Sequence, residues 1–295
     1  MELNWNQIKV FYHVSKAGSI SLGAQRLNLS PSAVTKSIQE LEHRAHVKLF
    51  HRHTRGITLT PEGEKIYLHA SKMYNEYEDM QAAINSEKNE VSGILRVITS
   101  AGLASFWLLE AMIKLAKNYP NLKLKIYGID DDIDLNDSLF DIAIKNRISD
   151  NVNFVQEQLT SFKMGLYASG NYLAKRGVPK NIEDLDSHCL LSFGSERQHT
   201  YGDVNWHLTL GAPKGQVRQS IFEFNSSLAL VRAAENDLGI IVMPDEHPLL
   251  KNNGLVNILP EVRGFITEAY FVYPKHLKNS KKIDIFISYM KEAFV

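Results

Sequence analysis

Ser30-Pro31-Ser32, followed by Thr35, Lys36 and Gln39, puts short hydroxyls, an amide and one long cation on one face of a helix. These are the groups that read base edges and hold phosphates in duplex DNA. Ser30 is placed to cap that helix, and Pro31 takes its first position, where a missing N–H costs nothing. Arg52 and Arg55 flank His53 and Thr54 in a short basic stretch. A guanidinium there pairs with phosphate or enters a narrow minor groove. Read without these chemistries, the same residues make a small three-helix bundle with a solvated polar face and solubilising loop arginines. His51 and His53 have no carboxylate or thiolate beside them, so they read as surface or phosphate-facing histidines, and no metal is expected.

A second polar set lies in two turns further along. Thr99-Ser100-Ala101 follows a strand, and Phe224-Asn225-Ser226 precedes the helix at Leu228. Strand-to-helix turns offer backbone N–H groups and a positive helix end. Both turns suit an anionic or hydroxylated ligand, and both also read as plain helix caps. Asp130-Asp131-Asp132 places negative charge near the same region and weighs against an anionic ligand.

The elements that must carry the first set are legible from periodicity. Ile8, Phe11 and Val14 give a helix over residues 4–17, closed by Gly18. Ser19 caps a second helix whose small residues Gly23 and Ala24 admit a close neighbour. Val34, Ile38 and Leu41 give the third helix its buried stripe. Helix, short turn and second capped helix form a helix-turn-helix, whose second helix enters the major groove. Residues 48–52 and 57–59 read as two strands of a wing around His53-Thr54-Arg55-Gly56, with Arg52 at its base and Arg55 at its tip. Thr60-Pro61-Glu62 starts a long helix. Its apolar positions Ile66, Ala70, Met73, Tyr77, Met80 and Ile84 follow a heptad rhythm. That seam predicts a homodimer through the helix, or else packing against the chain's own body.

After residue 92 the pattern changes. Strands are expected at 94–98, 122–127, 141–144, 164–168, 190–193, 221–224, 239–243 and 269–273. Helices are expected at 106–118, 171–175, 227–234 and 280–293. Alternation of this kind predicts parallel α/β sheets in two lobes, with a ligand cleft between them.

The formal net charge is zero, but residues 1–65 hold nine Lys/Arg against five acids. A basic head on an acidic body points to a polyanion for the head alone. Cys189 is the sole cysteine, which excludes an internal disulfide and a cysteine zinc cluster. No secretion signal or membrane span is visible, so a cytoplasmic protein without membrane association is expected. G-x-S-x-G, G-x-x-x-x-G-K-[S/T] and H-E-x-x-H are absent, and His188-Cys189 has no evident partner. No enzyme activity, catalytic residue or cofactor is expected. An enzyme carrying a DNA-binding head and a ligand-independent DNA binder remain the alternatives.

The stretch from Ile8 to Gly63 resembles the LysR-type transcriptional regulators. The similarity runs through Gly18-Ser19-Ile20, Leu29-Ser30-Pro31-Ser32-Ala33-Val34-Thr35-Lys36, Val47-Lys48-Leu49-Phe50-His51-Arg52 and Leu59-Thr60-Pro61-Glu62-Gly63. Gly93-Ile94-Leu95-Arg96-Val97 and Gly239-Ile240-Ile241-Val242-Met243-Pro244 resemble the family's periplasmic-binding-protein-like sensor domain. The resemblance implies a winged helix-turn-helix over residues 1–60, a linker helix over 61–90 and an effector-binding domain over 91–295. Lobe I would hold about 91–161 and 266–295, and lobe II about 162–265. It implies α+β and α/β architecture, double-stranded DNA and a small-molecule effector as partners, and a homotetramer. RNA polymerase is a further candidate partner. Ser32, Thr35, Lys36, Arg52 and Arg55 match the family's DNA-contacting positions, and Thr99, Ser100 and Asn225 its effector positions. There is one departure. The family commonly ends the recognition helix with Leu-Gly, whereas this chain has Ala45-His46; histidine adopts the left-handed conformation only at some cost, so a local difference at this helix end is expected.

Overall fold

The computed structural model describes the chain except residues 1–2, 54–55, 86–90, 136–139, 150, 195–198, 213, 252, 263, 265 and 295. It divides into two compact units: residues 1–93 with 134–139, and residues 94–133 with 140–295.

The first unit begins with α1 (Trp5–Ala17), α2 (Ile20–Leu27) and α3 (Pro31–Ala45). Asn4, Ser19 and Ser30 each accept a backbone N–H at the start of one of these helices. Gly18, Asn28 and His46 end them in the left-handed conformation. His46 sits at φ 54°, in the left-handed region, so the helix stops there without a glycine. The apolar faces converge as the periodicity requires: Phe11, Val14 and Val34 are fully buried, with Ile38 and Leu41 nearly so. Gly23 permits the crossing of α1 and α2, since a Cβ there would lie 2.9 Å from the Cα of Val14. Two short strands follow, β1 (Phe50–His53) and β2 (Gly56–Leu59), paired antiparallel with Phe50 opposite Leu59.

The long helix α4 covers Pro61–Asn85, about 37 Å at 1.5 Å per residue. The hydroxyl of Thr60 caps it by accepting the Gly63 N–H at 2.9 Å, and itself donates to the Lys48 carbonyl. The heptad seam is split. Ala70 is buried, and Ile66 and Tyr77 pack on the head, but Met73 and Met80 are exposed. At about 100° per residue, Met73 and Met80 fall roughly 60–80° to one side of Ala70, whereas Tyr67 and Tyr74 fall on the other. That second flank meets α1: the Tyr12 ring stacks on Tyr74 at 4.5 Å and on Tyr67 at 5.9 Å. The side chain of Ile84 lies outside the described residues.

The second unit carries two lobes. Lobe I contains β3 (Gly93–Thr99), α5 (Ala101–Leu103), a π turn (Ala104–Leu108), α6 (Leu109–Asn118), β4 (Leu122–Gly128), β5 (Ile142–Lys145) and β6 (Phe154–Phe162). Lobe II contains β7 (Met164–Ser169), α7 (Gly170–Arg176), β8 (Leu190–Ser192), β9 (Ser220–Glu223), α8 (Ser227–Glu235), β10 (Ile241–Pro244) and β11 (Leu255–Ile258). The chain returns to lobe I through β12 (Thr267–Pro274) and α9 (Lys281–Glu292).

The lobe I sheet is mixed and the β10-β7-β11 sheet of lobe II is antiparallel, which corrects the expectation of parallel sheets, although β8 and β9 do pair parallel. Lobe I has the order β4-β3-β5-β12-β6, with β3 and β5 parallel and β12 antiparallel to both neighbours. In lobe II, β7 pairs antiparallel with β10 and β11 on either side. The cause is the double crossing. A single residue, Lys163, separates β6 from β7, and the returning strand β12 enters lobe I running against β5. Among the described residues, no helix is long and apolar enough to cross a membrane.

Candidate functional site

The helix-turn-helix presents the start of α3 to solvent. Ser30, Pro31, Ser32, Lys36 and Gln39 are exposed, and Thr35 is half-buried. Local hydrogen bonds organise this surface. Ser30 Oγ accepts the Ala33 N–H at 3.2 Å and lies 3.0 Å from Ser32 Oγ. The Thr35 hydroxyl donates to the Pro31 carbonyl at 2.8 Å. Thr35 therefore offers lone pairs and a methyl group outward, a combination that suits a base donor or a thymine methyl. Arg52 is exposed on β1, whereas Arg55 lies outside the described residues. His51 and His53 are exposed. Among the described residues, no cluster of three or more His, Cys, Asp or Glu has metal-ligand geometry.

A buried carboxylate ties α3 to the wing. Glu42 accepts the Leu49 N–H at 2.8 Å and a bond from Lys48 Nζ at 2.9 Å. Burial pushes its pKa up, but these donors outweigh burial and hold the pKa below the ordinary carboxylate value. Sequence reasoning misses Glu42 because a glutamate on a polar helix face carries no sign that a strand will close over it.

The second unit has a cleft of about 550 Å³ between its lobes. Of the six residues in the two polar turns, Ser100, Ala101, Asn225 and Ser226 line it, and Thr99 and Phe224 do not. Thr99 ends β3 and is buried behind the wall, while Phe224 is half-exposed and stacks on Phe222. Ser100 acts as a helix cap, accepting the Leu103 N–H at 3.2 Å. Ser226 occupies the cap position of α8, yet its side chain caps nothing.

Much of the remaining wall has no local signature in the sequence. Phe106, Trp107, Leu191, Phe193, Leu228 and Met243 make it mainly apolar. Tyr201, His199, His207 and His247 also line it. The 199–201 segment reaches the cavity because the Thr200 N–H donates to the Asp130 carbonyl at 2.7 Å and His199 bridges Asp131. Burial pushes the Tyr201 phenol well above its usual range, partly offset by the hydroxyls of Ser100 and Thr99 beside it. Burial likewise depresses His199, His207 and His247, each to about 4, so all three are neutral near pH 7.

The three consecutive aspartates have separate fates. Asp132 pairs with the buried ammonium of Lys145. Asp131 takes part in the backbone bridge to His199. Asp130 lines the cavity, where its carboxylate accepts the Ala101 N–H at 3.1 Å. Burial raises its pKa, opposed by the Ala101 N–H and reinforced by the charge of Asp131.

A winged helix-turn-helix and a two-lobed α/β domain with a cleft between its lobes, in one chain, define an effector-responsive DNA-binding regulator. The family described as "LysR substrate binding domain" matches residues 88–295, and "Bacterial regulatory helix-turn-helix protein, lysR family" matches residues 5–64. The chain belongs to the LysR family of transcriptional regulators. It is 30% identical over 289 residues to the HTH-type transcriptional activator TtdR of Escherichia coli K12, covering 96% of this chain and 91% of that one. In fold it is similar to ArgP of Mycobacterium tuberculosis, with a TM-score of 0.75, 16% identity and coverage of 99% and 97%. CrgA of Neisseria meningitidis, described as a LysR-type regulator, gives a TM-score of 0.59, 24% identity and coverage of 99% of each chain.

Proposed function

We propose that this regulator reads duplex DNA through Ser30, Pro31, Ser32, Thr35, Lys36 and Gln39 at the start of α3, with Arg52 and Arg55 on flanking phosphate or minor groove. The observation that supports this most directly is the solvent-open, capped first half of α3, whose polar groups are held in place by their own helix. The functional division is 1–60 for DNA, 61–90 for pairing and 91–295 for the effector. Ser100, Ala101, Asn225 and Ser226 contact the effector, while Thr99 supports the wall from behind. Effector closure of the lobes shifts a two-state assembly, and only by its differential affinity for the two states. The protein works in the cytoplasm without enzymatic turnover, with RNA polymerase as a further partner.

Pairing uses the exposed flank of α4. Met73 and Met80 stand one heptad apart on the face that the head leaves uncovered. Two such helices bring two heads to paired half-sites, and pairs of dimers complete a homotetramer. The doubly substituted Met73→Glu/Met80→Glu chain is expected to sediment as a monomer, with its head still folded. Its affinity for a two-half-site operator should fall at least about tenfold, because linked binding is abolished. Retention of the wild-type assembly and affinity would show that pairing lies elsewhere.

A further inference from the structure

We infer that the effector is a predominantly apolar molecule of net charge zero or positive, which presents a hydrogen-bond donor to Asp130. This rests on the reading of the cleft as the effector site and adds the chemistry of what it takes.

Three observations carry it. Among the described residues, no lysine or arginine lines the cavity. Its histidines are neutral near pH 7, so among the described residues no formal positive charge faces the space. A buried anion needs a paired charge, and its absence weighs heavily against a lone carboxylate.

The second observation is what already occupies the polar end of the cavity. The start of α8 lies beside the Ala101-Gly102 turn, since a Cβ built on Gly102 would sit 3.5 Å from Ser227 Oγ. The positive end of α8 is where a ligand carboxylate would settle. Asp130 lies at the same turn, bonded to the Ala101 N–H. The protein thus carries its own anion at the site, and a second one would meet a like charge across a low-dielectric space.

The third is an acceptor without a donor. His207 lines the cavity and is 1% exposed. Its Nε2 lies 3.1 Å from the Leu191 carbonyl and so must carry the proton. Neutral His207 therefore has an unprotonated Nδ1, which is buried with no hydrogen-bond partner. Asp130 and His207 both ask for N–H or O–H donors. The open first turn of α8, with Ser226 free of capping duty, takes an acceptor oxygen in return. Phe106, Trp107 and Phe193 enclose the apolar body.

The test uses three probes on one scaffold, 3-phenylpropan-1-amine, 3-phenylpropan-1-ol and 3-phenylpropanoate, titrated into the full chain by ligand-observed NMR. The amine and the alcohol are expected to bind at least tenfold more tightly than the carboxylate. Asp130→Asn keeps an acceptor for the Ala101 N–H and should erase the preference for the amine over the carboxylate. Ser105→Trp, at an exposed position on the cavity wall, should abolish binding of all three. If binding disappears in Ser105→Trp but the carboxylate matches the amine in the unaltered chain, the charge inference alone fails. If binding survives Ser105→Trp, the cleft reading fails and takes the inference with it. No binding by amine and alcohol at millimolar concentration also overturns the proposal.

Discussion

Gly63→Ala is expected to destabilise the N-terminal unit by about 3 kcal/mol, the upper part of the range for overpacking a filled site. A Cβ at Gly63 would lie well inside the contact radius of the Leu49 carbonyl oxygen and 3.1 Å from Leu59 Cδ2. The obstacle is main chain and cannot rotate aside. The same carbonyl accepts the Thr60 N–H at 3.0 Å, so any retreat of Leu49 also loosens the cap of α4. Thermal unfolding of the full chain should show the N-terminal transition falling, with DNA binding failing in parallel. Gly18→Ala is the comparison. Gly18 has φ 61° but open space around its Cβ, so its cost is conformational, about 1 kcal/mol. Equal effects at the two glycines would mean that the start of α4 does not pack against Leu49.

The second large effect is at Lys36. It stands exposed one turn into α3, and its replacement by alanine should weaken operator binding by about 1–3 kcal/mol, roughly 5- to 150-fold. The salt dependence divides the two ways in which it acts. If the ammonium holds a phosphate, Lys36→Ala makes the plot of log affinity against log salt shallower by about one unit. If it reads a base, the slope stays as it was and sequence preference relaxes at one position. Unchanged affinity and unchanged slope would remove Lys36 from the DNA-contacting set.

The N-terminal unit is largely legible in the sequence because its signals are local. Caps at Ser19 and Ser30, a proline at the first position and apolar spacings of three and four each determine structure within one turn. His46 departs from that legibility: its cost in the left-handed conformation points to a local difference, yet the structure keeps the helix stop there. What sequence does not reveal depends on distant partners. The tyrosine stack of Tyr12, Tyr67 and Tyr74 joins two helices far apart in the chain, and it decides which flank of α4 is covered. Heptad spacing alone treats Ala70 and Met73 as one seam. In the second unit, β6 escapes notice because Phe-Val-Gln-Glu-Gln-Leu-Thr-Ser-Phe shows little alternation, as suits an edge strand paired on one side by β12.

The cleft is half-legible for the same reason. Ser100, Ala101, Asn225 and Ser226 sit in turns between predicted elements, so their position follows from the elements. Tyr201, His199 and His207 come from a stretch without periodicity, and pairing with Asp130 and Asp131 brings its 199–200 segment to the wall. The aspartates themselves are conspicuous as charge, but nothing in their order shows that Lys145 neutralises Asp132 while Asp130 faces the cavity.

The central claim is that the first half of α3 reads the major groove. The most direct measurement is a 7-deazapurine scan of the DNA upstream of the chain's own gene, which removes one major-groove acceptor at a time. Binding by the full chain should fall at a few purines in each half-site, and, if Lys36 reads a base rather than a phosphate, the loss at one of them should vanish in Lys36→Ala. Affinity that is indifferent to every such replacement, with binding no tighter than to shuffled DNA, would contradict the account.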